Sequence, residues 1–251
     1  MIRLYFVALQ FLAIVPLPFS CRCEEDDLGK SMALFPLAGL TLGLLLAGCD
    51  YLLASALPRP VADLLLVVIL TAVTGALHLD GLADVCDGLA ARGGRERFLA
   101  VMKDSRVGAV GVVGLVLALL LKYQALLAVT PGWKREALLL FPMVARYSQV
   151  QLTVGSKRAR QDGLGSLFIG GAGQLQFAAA ALATMTAAGL LLGLPGIGCV
   201  ALCALFTLAA KAWFHGKLGG ITGDVIGCVS ELNEILCLLA LIAISGVGGR
   251  L

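Results

Sequence analysis

Seven apolar runs of about 18 residues or more punctuate this chain, at residues 33–56, 61–78, 109–130, 135–154, 175–194, 197–214 and 226–246. A helix rises 1.5 Å per residue, so about 20 such residues cross the hydrocarbon core of a bilayer. Between the runs only short polar connections remain. Of the 251 residues, 14% are charged and 59% are hydrophobic, whereas a soluble domain carries about 25% charge. Too little charge is available to cover a water-facing surface, so lipid is the expected solvent. The expectation is an all-α, polytopic integral membrane bundle of about seven transmembrane helices, organised as a single domain over residues 1–251. Residues 1–15 are apolar but stop short at Pro16 and Pro18. They predict a short interfacial or re-entrant helix rather than a span, and no signal-peptide cleavage site follows them. The stretch "CRCEEDDLGK" reads as a polar turn.

The formal net charge of +3 is too small to point to a nucleic-acid partner. Its distribution says more. Connections at 79–108, 155–174 and 215–220 carry Arg92, Arg95, Arg97, Lys103, Arg106, Lys157, Arg158, Arg160 and Lys217, while the alternate connections hold Arg59, Lys134 and Arg135. That asymmetry of nine to three places the first set in the cytoplasm. The N-terminus is then inside and the C-terminus outside, and three polar loops share one face. The eight cysteines form no CxxC pair; Cys49, Cys199, Cys203 and Cys237 fall in apolar helices, where thiols behave as small hydrophobes. Cys21 and Cys23 flank one arginine beside an acidic run.

The most informative polar stretch is "HLDGLADVCDGLAARGGRERF", residues 78–98. Asp80, Asp84 and Asp87 stand at i, i+4 and i+7, on one face of a helix. Three carboxylates so close repel one another unless a cation sits among them, and Mg²⁺ takes oxygen ligands while leaving room for phosphate. A solvated helix end beside arginines is the simpler alternative. A second cluster, Asp224, Glu231 and Glu234, runs into an otherwise apolar helix. Ionised groups there cost roughly 2.5–3.5 kcal/mol each, so they face the bundle interior. Gly81, Gly88, Gly219, Gly220, Gly223 and Gly227 bracket both clusters and let backbone or phosphate approach closely.

Lys103 and Arg106 in "MKDSRVGAVG", and Arg160 in "KRARQDGLGSLFIGG", are suited to phosphate oxygens; topology alone also accounts for them. Arg146, mid-span, needs an acidic partner or a substrate phosphate. His78 is a base, a metal neighbour or a polar interface residue. Carboxylates, an implied divalent cation and phosphate-seeking cations on one membrane face fit phosphoryl or phosphodiester transfer.

The stretches "FPLAGLTLG", "HLDGLADVCDGL", "MKDSRVGAVG", "DGLGSLFIG" and "GGITGDVIGCVSELNE" resemble, in order and spacing, the cobalamin synthase family. The resemblance covers essentially the whole chain and implies an integral enzyme of the inner membrane. It implies that adenosylcobinamide-GDP is joined to α-ribazole or its 5′-phosphate, with release of GMP, in a Mg²⁺-dependent reaction at a cytoplasmic site. On this resemblance Asp80, Asp84 and Asp87 hold Mg²⁺ against the pyrophosphate. Asp224 and Glu231 complete a second metal site or take the ribose proton. Lys103, Arg106, Arg146 and Arg160, with Gly223, serve the phosphates. Small-molecule substrates and lipid are the expected partners, and self-association is left open.

Two other readings compete. A CDP-alcohol phosphotransferase pattern starts at Asp87 in "DGLAARGGRERF", but its later glycine and aspartates are missing. A cation transporter would use intramembrane carboxylates, yet no inverted repeat is visible and phosphate-seeking cations have no task in it.

Overall fold

The computed structural model describes residues 1–14, 25–160 and 165–248. Among these, all regular structure is helical apart from one isolated bridge between Arg158 and Ile221. In chain order the helices are α1 (Ile2–Leu12), α2 (Glu25–Ser31), α3 (Phe35–Ala56), α4 (Arg59–Val73), α5 (Leu77–Ala90), α6 (Arg95–Val101), α7 (Ala109–Ala128), α8 (Lys134–Thr153), α9 (Gly165–Gly171), α10 (Gln174–Leu192), α11 (Leu194–Leu218) and α12 (Gly223–Gly248). Cys21, Cys23, Pro16 and Pro18 lie outside the described residues, as do residues 161–164 of the third polar loop.

Among the described residues, five helices are long and apolar enough to cross a membrane: Asp27–Ala56, which joins α2 to α3, then α7, α10, α11 and Gly223–Gly246 of α12. A sixth arises if α4 and α5, bent by 90° at their junction, count as one broken span. Leu117, Leu120, Leu182, Leu190 and Leu205 stand out from α7, α10 and α11, each more than half exposed. Aliphatic surface on that scale is at home in lipid, not in water. The remaining predicted run, residues 135–154, has a different solvent. Every side chain of α8 from Ala137 to Thr153 is buried, so α8 lies at the axis of the bundle, shielded from lipid by the helices around it. That enclosure is why α8 can carry Arg146, Ser148, Gln149 and Gln151 in mid-helix. Helix α3 reaches it through two glycines. A Cβ on Gly39 would stand 2.5 Å from the Pro142 carbonyl oxygen, and one on Gly43 2.7 Å from that of Leu138.

At 11 residues, α1 is too short to span, as expected; it buries Val7, Ala8, Leu9 and Leu12. The predicted polar turn is instead helical from Glu25 onward, and Asp27 accepts a hydrogen bond from Arg3 of α1 at 2.7 Å. That pairing lets an acidic segment continue into an apolar helix.

The two sets of loops separate to opposite ends. At one end Arg59 bonds Asp50 at 2.6 Å and Asp63 at 2.7 Å, and Lys134 bonds the same Asp63 at 2.9 Å. At the other, Arg95 of α6 donates to the Leu218 carbonyl at 2.6 Å and the Ala159 carbonyl at 2.8 Å. The three polar loops therefore do share a face. Between α4 and α5, Gly75 (φ +60°) and Ala76 (φ +56°) turn the chain through left-handed backbone. Such a conformation costs a non-glycine residue about 1–3 kcal/mol. The break points the acidic helix α5 away from the line of α4.

Candidate active site

Helix α5 forms as the spacing predicts, with an apolar side carrying Leu79, Leu82 and Val85 into the bundle. Opposite this side, Asp80 is exposed and Asp84 half-buried. Helix α12 crosses closely at this level, because a Cβ on Gly81 would stand 2.6 Å from the Asp224 carbonyl oxygen. The first turn of α12 is set by Thr222, whose hydroxyl accepts the Val225 amide at 3.2 Å. That turn brings Asp224 beside α5.

The third contributor is the strand-like segment before residue 161. Ala159 N donates to Ile221 O, and Ile221 N to Lys157 O, both at 2.9 Å. This short bridge delivers Arg160 to Asp224, with a guanidinium-to-carboxylate distance of 3.1 Å. Three segments far apart in sequence thus meet around a cavity of about 180 Å³. Asp80, Asp224, Arg160 and Gly223 line its polar side; Phe11, Phe35 and Phe168 line its apolar side; His78 and Gln149 also line it. Asp84 feels the charges of Asp224, Asp80, Arg160 and Asp87.

Among the described residues three carboxylates face one arginine here, an excess of negative charge. Among the described residues, no group of three or more His, Cys, Asp and Glu side chains is arranged as a ready metal cage. That geometry still suits Mg²⁺, which is usually bound through one or two carboxylates, waters and substrate phosphates rather than by an all-protein cage. Asp80 and Asp224, which line one cavity from two helices, supply such a donor pair.

The other predicted residues are placed elsewhere. Asp87 accepts hydrogen bonds from the backbone N–H of Gly108 at 2.7 Å and of Gly111 at 2.8 Å. It caps the N-terminus of α7 from outside that helix, satisfying amides that have no partner within it. Asp87→Ala is expected to cost about 0.5–2 kcal/mol of stability, measured as a lower unfolding midpoint in detergent, with turnover reduced far less than in Asp80 variants. Arg106 pairs with Asp104 at 2.9 Å on the exposed turn before α7, and this pairing holds the Asp104 carboxyl down at about 2. Neither Arg106 nor the exposed Lys103 lines the cavity.

Glu231 and Arg146 belong to a buried network. Lys122 of α7 donates to Glu231 at 2.5 Å and to Glu234 at 2.6 Å, and Arg146 of α8 donates to Glu234. All four side chains are at most 6% exposed. Two cations balance two carboxylates, and α7, α8 and α12 are tied together. Arg146 thus finds the acidic partner its position demanded. Lys122 was missed, although a signal exists: it is one lysine in the apolar run "GLVLALLLKYQALLAV", a place where an unpaired charge is costly. The aromatic wall had no local signal, since Phe11, Phe35 and Phe168 come from three separate segments.

Known proteins are similar to this chain over nearly its whole length. The family model described as cobalamin-5-phosphate synthase matches residues 4–242. The chain is 82% identical over 246 residues to an adenosylcobinamide-GDP ribazoletransferase of Geotalea daltonii, covering 98% of this chain and 99% of that one. It is 37% identical over 242 residues to a protein of that name from Pseudomonas savastanoi pv. phaseolicola, covering 94% of this chain and 98% of the other. To one from Acetivibrio thermocellus it is 34% identical over 230 residues, covering 91% and 93%. No solved structure matches.

Proposed function

The chain belongs to the cobalamin-5-phosphate synthase family, and from that premise we propose that it is a membrane-embedded adenosylcobinamide-GDP ribazoletransferase acting at the cavity between α5 and α12. It joins adenosylcobinamide-GDP to α-ribazole or its 5′-phosphate. A ribose hydroxyl attacks the phosphorus nearer the cobinamide; the new P–O bond forms as the pyrophosphate bond breaks, and GMP leaves. The product is adenosylcobalamin or its 5′-phosphate.

The observation that carries this reading is the meeting of Asp80, Asp224 and Arg160 in one cavity. Arg160 offers a planar pair of donors to phosphate oxygens, and Gly223 opens the N-terminus of α12 to an anion. Asp80 and Asp224 would hold Mg²⁺, with Asp84 adding its charge. Mg²⁺ would neutralise the pyrophosphate and the charge that develops on the leaving GMP. The proton of the attacking hydroxyl passes to a carboxylate of this trio. The cavity measures about 180 Å³. It accommodates the reacting phosphates and leaves the corrinoid outside, toward the lipid and the open face. On this reading Lys103 and Arg106 act as topology signals, and Glu231 and Arg146 hold the scaffold. The asymmetry of loop cations directs the acidic end to the cytoplasm, in the inner membrane.

The test is an assay in detergent or liposomes with adenosylcobinamide-GDP, α-ribazole phosphate and Mg²⁺, following GMP and corrinoid product by chromatography. Wild type is expected to form both in equal amounts, and EDTA to abolish turnover until Mg²⁺ is restored. Ion flux without corrinoid product would instead support a transporter.

A further inference from the structure

The wall of the cavity holds a group that the reaction above does not use. His78, in the first turn of α5, is 4% exposed and lines the cavity together with Gln149 of α8. Its Nε2 lies 3.0 Å from the side-chain amide nitrogen of Gln149. The same nitrogen donates to Ser230 Oγ at 2.8 Å. Ser230 directs its own hydroxyl to the Ala145 carbonyl at 3.5 Å, so its oxygen is free to accept. Gln149 therefore presents its NH₂ to both neighbours, and His78 Nε2 is an acceptor. A neutral imidazole carries one proton, which must then sit on Nδ1.

Nδ1 is buried and has no hydrogen-bond partner. Buried polar groups in folded proteins are nearly always satisfied, and an exception calls for a physical account. Among the described residues Nδ1 has no acceptor, and no atom of a five-membered ring is more than two bonds from any other, so it lies beside the volume that the ring lines. The empty volume beside His78 is the remaining source of a partner. Arg160 and Gly223 line that volume too, and both suit an anionic oxygen.

We propose that the Nδ1–H of His78 donates a hydrogen bond to a phosphoryl oxygen of the bound nucleotide-activated substrate, with Gln149 and Ser230 fixing the tautomer. This assignment of a further substrate-binding residue rests on the reading of the cavity given above. A neutral donor of this kind orients the phosphate without adding charge to a site already shared by three carboxylates and an arginine.

Two isosteric substitutions separate the two ring nitrogens. His78→Asn places an amide nitrogen where Nδ1 stood and gives up the contact with Gln149. His78→Gln reaches the Nε2 position, keeps that contact and gives up the Nδ1 donor. Affinity for adenosylcobinamide-GDP would be measured by equilibrium dialysis with Mg²⁺ and without acceptor, beside the unfolding midpoint of each variant. His78→Gln is expected to bind about 10- to 100-fold more weakly at an unchanged midpoint, and His78→Asn to bind within about threefold of wild type. Wild-type affinity in His78→Gln would overturn the proposal, as would equal weakening in both variants while both stay folded. Wild-type protein that binds this substrate but forms no product would sink the transferase reading instead; the affinity ratio of the two variants would still decide the role of His78.

Discussion

Glu234→Ala is expected to destabilise the protein by about 3–5 kcal/mol, the usual result of removing one partner from a buried ion pair. Glu234 accepts from Lys122 at 2.6 Å and from Arg146. Without it Glu231 alone faces two cations, and Arg146, whose Nε already lacks a partner, is left charged inside the bundle. The measurement is the unfolding midpoint in detergent, together with the amount of protein that accumulates in the membrane. Arg146→Met combined with Glu234→Leu removes the pair as a unit and is expected to recover most of the loss, because a balanced pair offsets little more than its own desolvation. An unchanged midpoint in Glu234→Ala would show that the network contributes nothing net.

Asp224→Asn is expected to do the opposite, lowering kcat by about 10²–10⁴-fold while the fold survives. Asparagine keeps the shape of the residue and removes the charge. The ion pair with Arg160 is partly exposed, at 22% and 19%, and pairs in contact with solvent contribute about 0–1 kcal/mol. Asp80→Asn should behave alike, since both residues line the cavity. Glu231→Gln is the informative contrast. Its carboxylate is held by Lys122 at 2.5 Å, so any loss of turnover should come with a lower unfolding midpoint. Equal, fold-neutral losses at Asp224 and Glu231 would restore Glu231 to the active site and count against a purely structural network.

The layout of the acidic end was readable because it rests on local rules. Spacing at i and i+4 put Asp80 and Asp84 on one face of α5, and loop cations marked which connections meet. Gly81 and Gly227 were singled out as places of close approach, and α5 does reach α12 through them, with a Cβ on Gly227 standing 3.1 Å from the His78 Cα. The same spacing did not show what Asp87 touches. An i+7 register says which face a carboxylate occupies, not that an adjacent helix presents unpaired amides to it. The position of Glu231 has a related reason. It lies seven residues beyond Asp224 on the same face, about 10 Å further along the axis at 1.5 Å per residue. That rise takes it from the cavity into the bundle, where the partner is a lysine from α7.

By itself the sequence determined the solvent, the helical class, the family pattern and the end of the bundle at which the polar loops gather. These follow from hydropathy, periodicity and charge balance, each a property of contiguous residues. Only the tertiary structure decided which charges line the cavity and which pair inside the bundle. Asp224 meets Arg160 and Asp80 because Ile221 bridges to Lys157 and Ala159 and because Gly81 admits the α12 backbone. Glu231 and Glu234 are neutralised because α7 and α8 bring Lys122 and Arg146 to the same depth. A carboxylate's role is fixed by whichever group lies within about 3 Å of it, and that neighbour comes from a distant part of the chain.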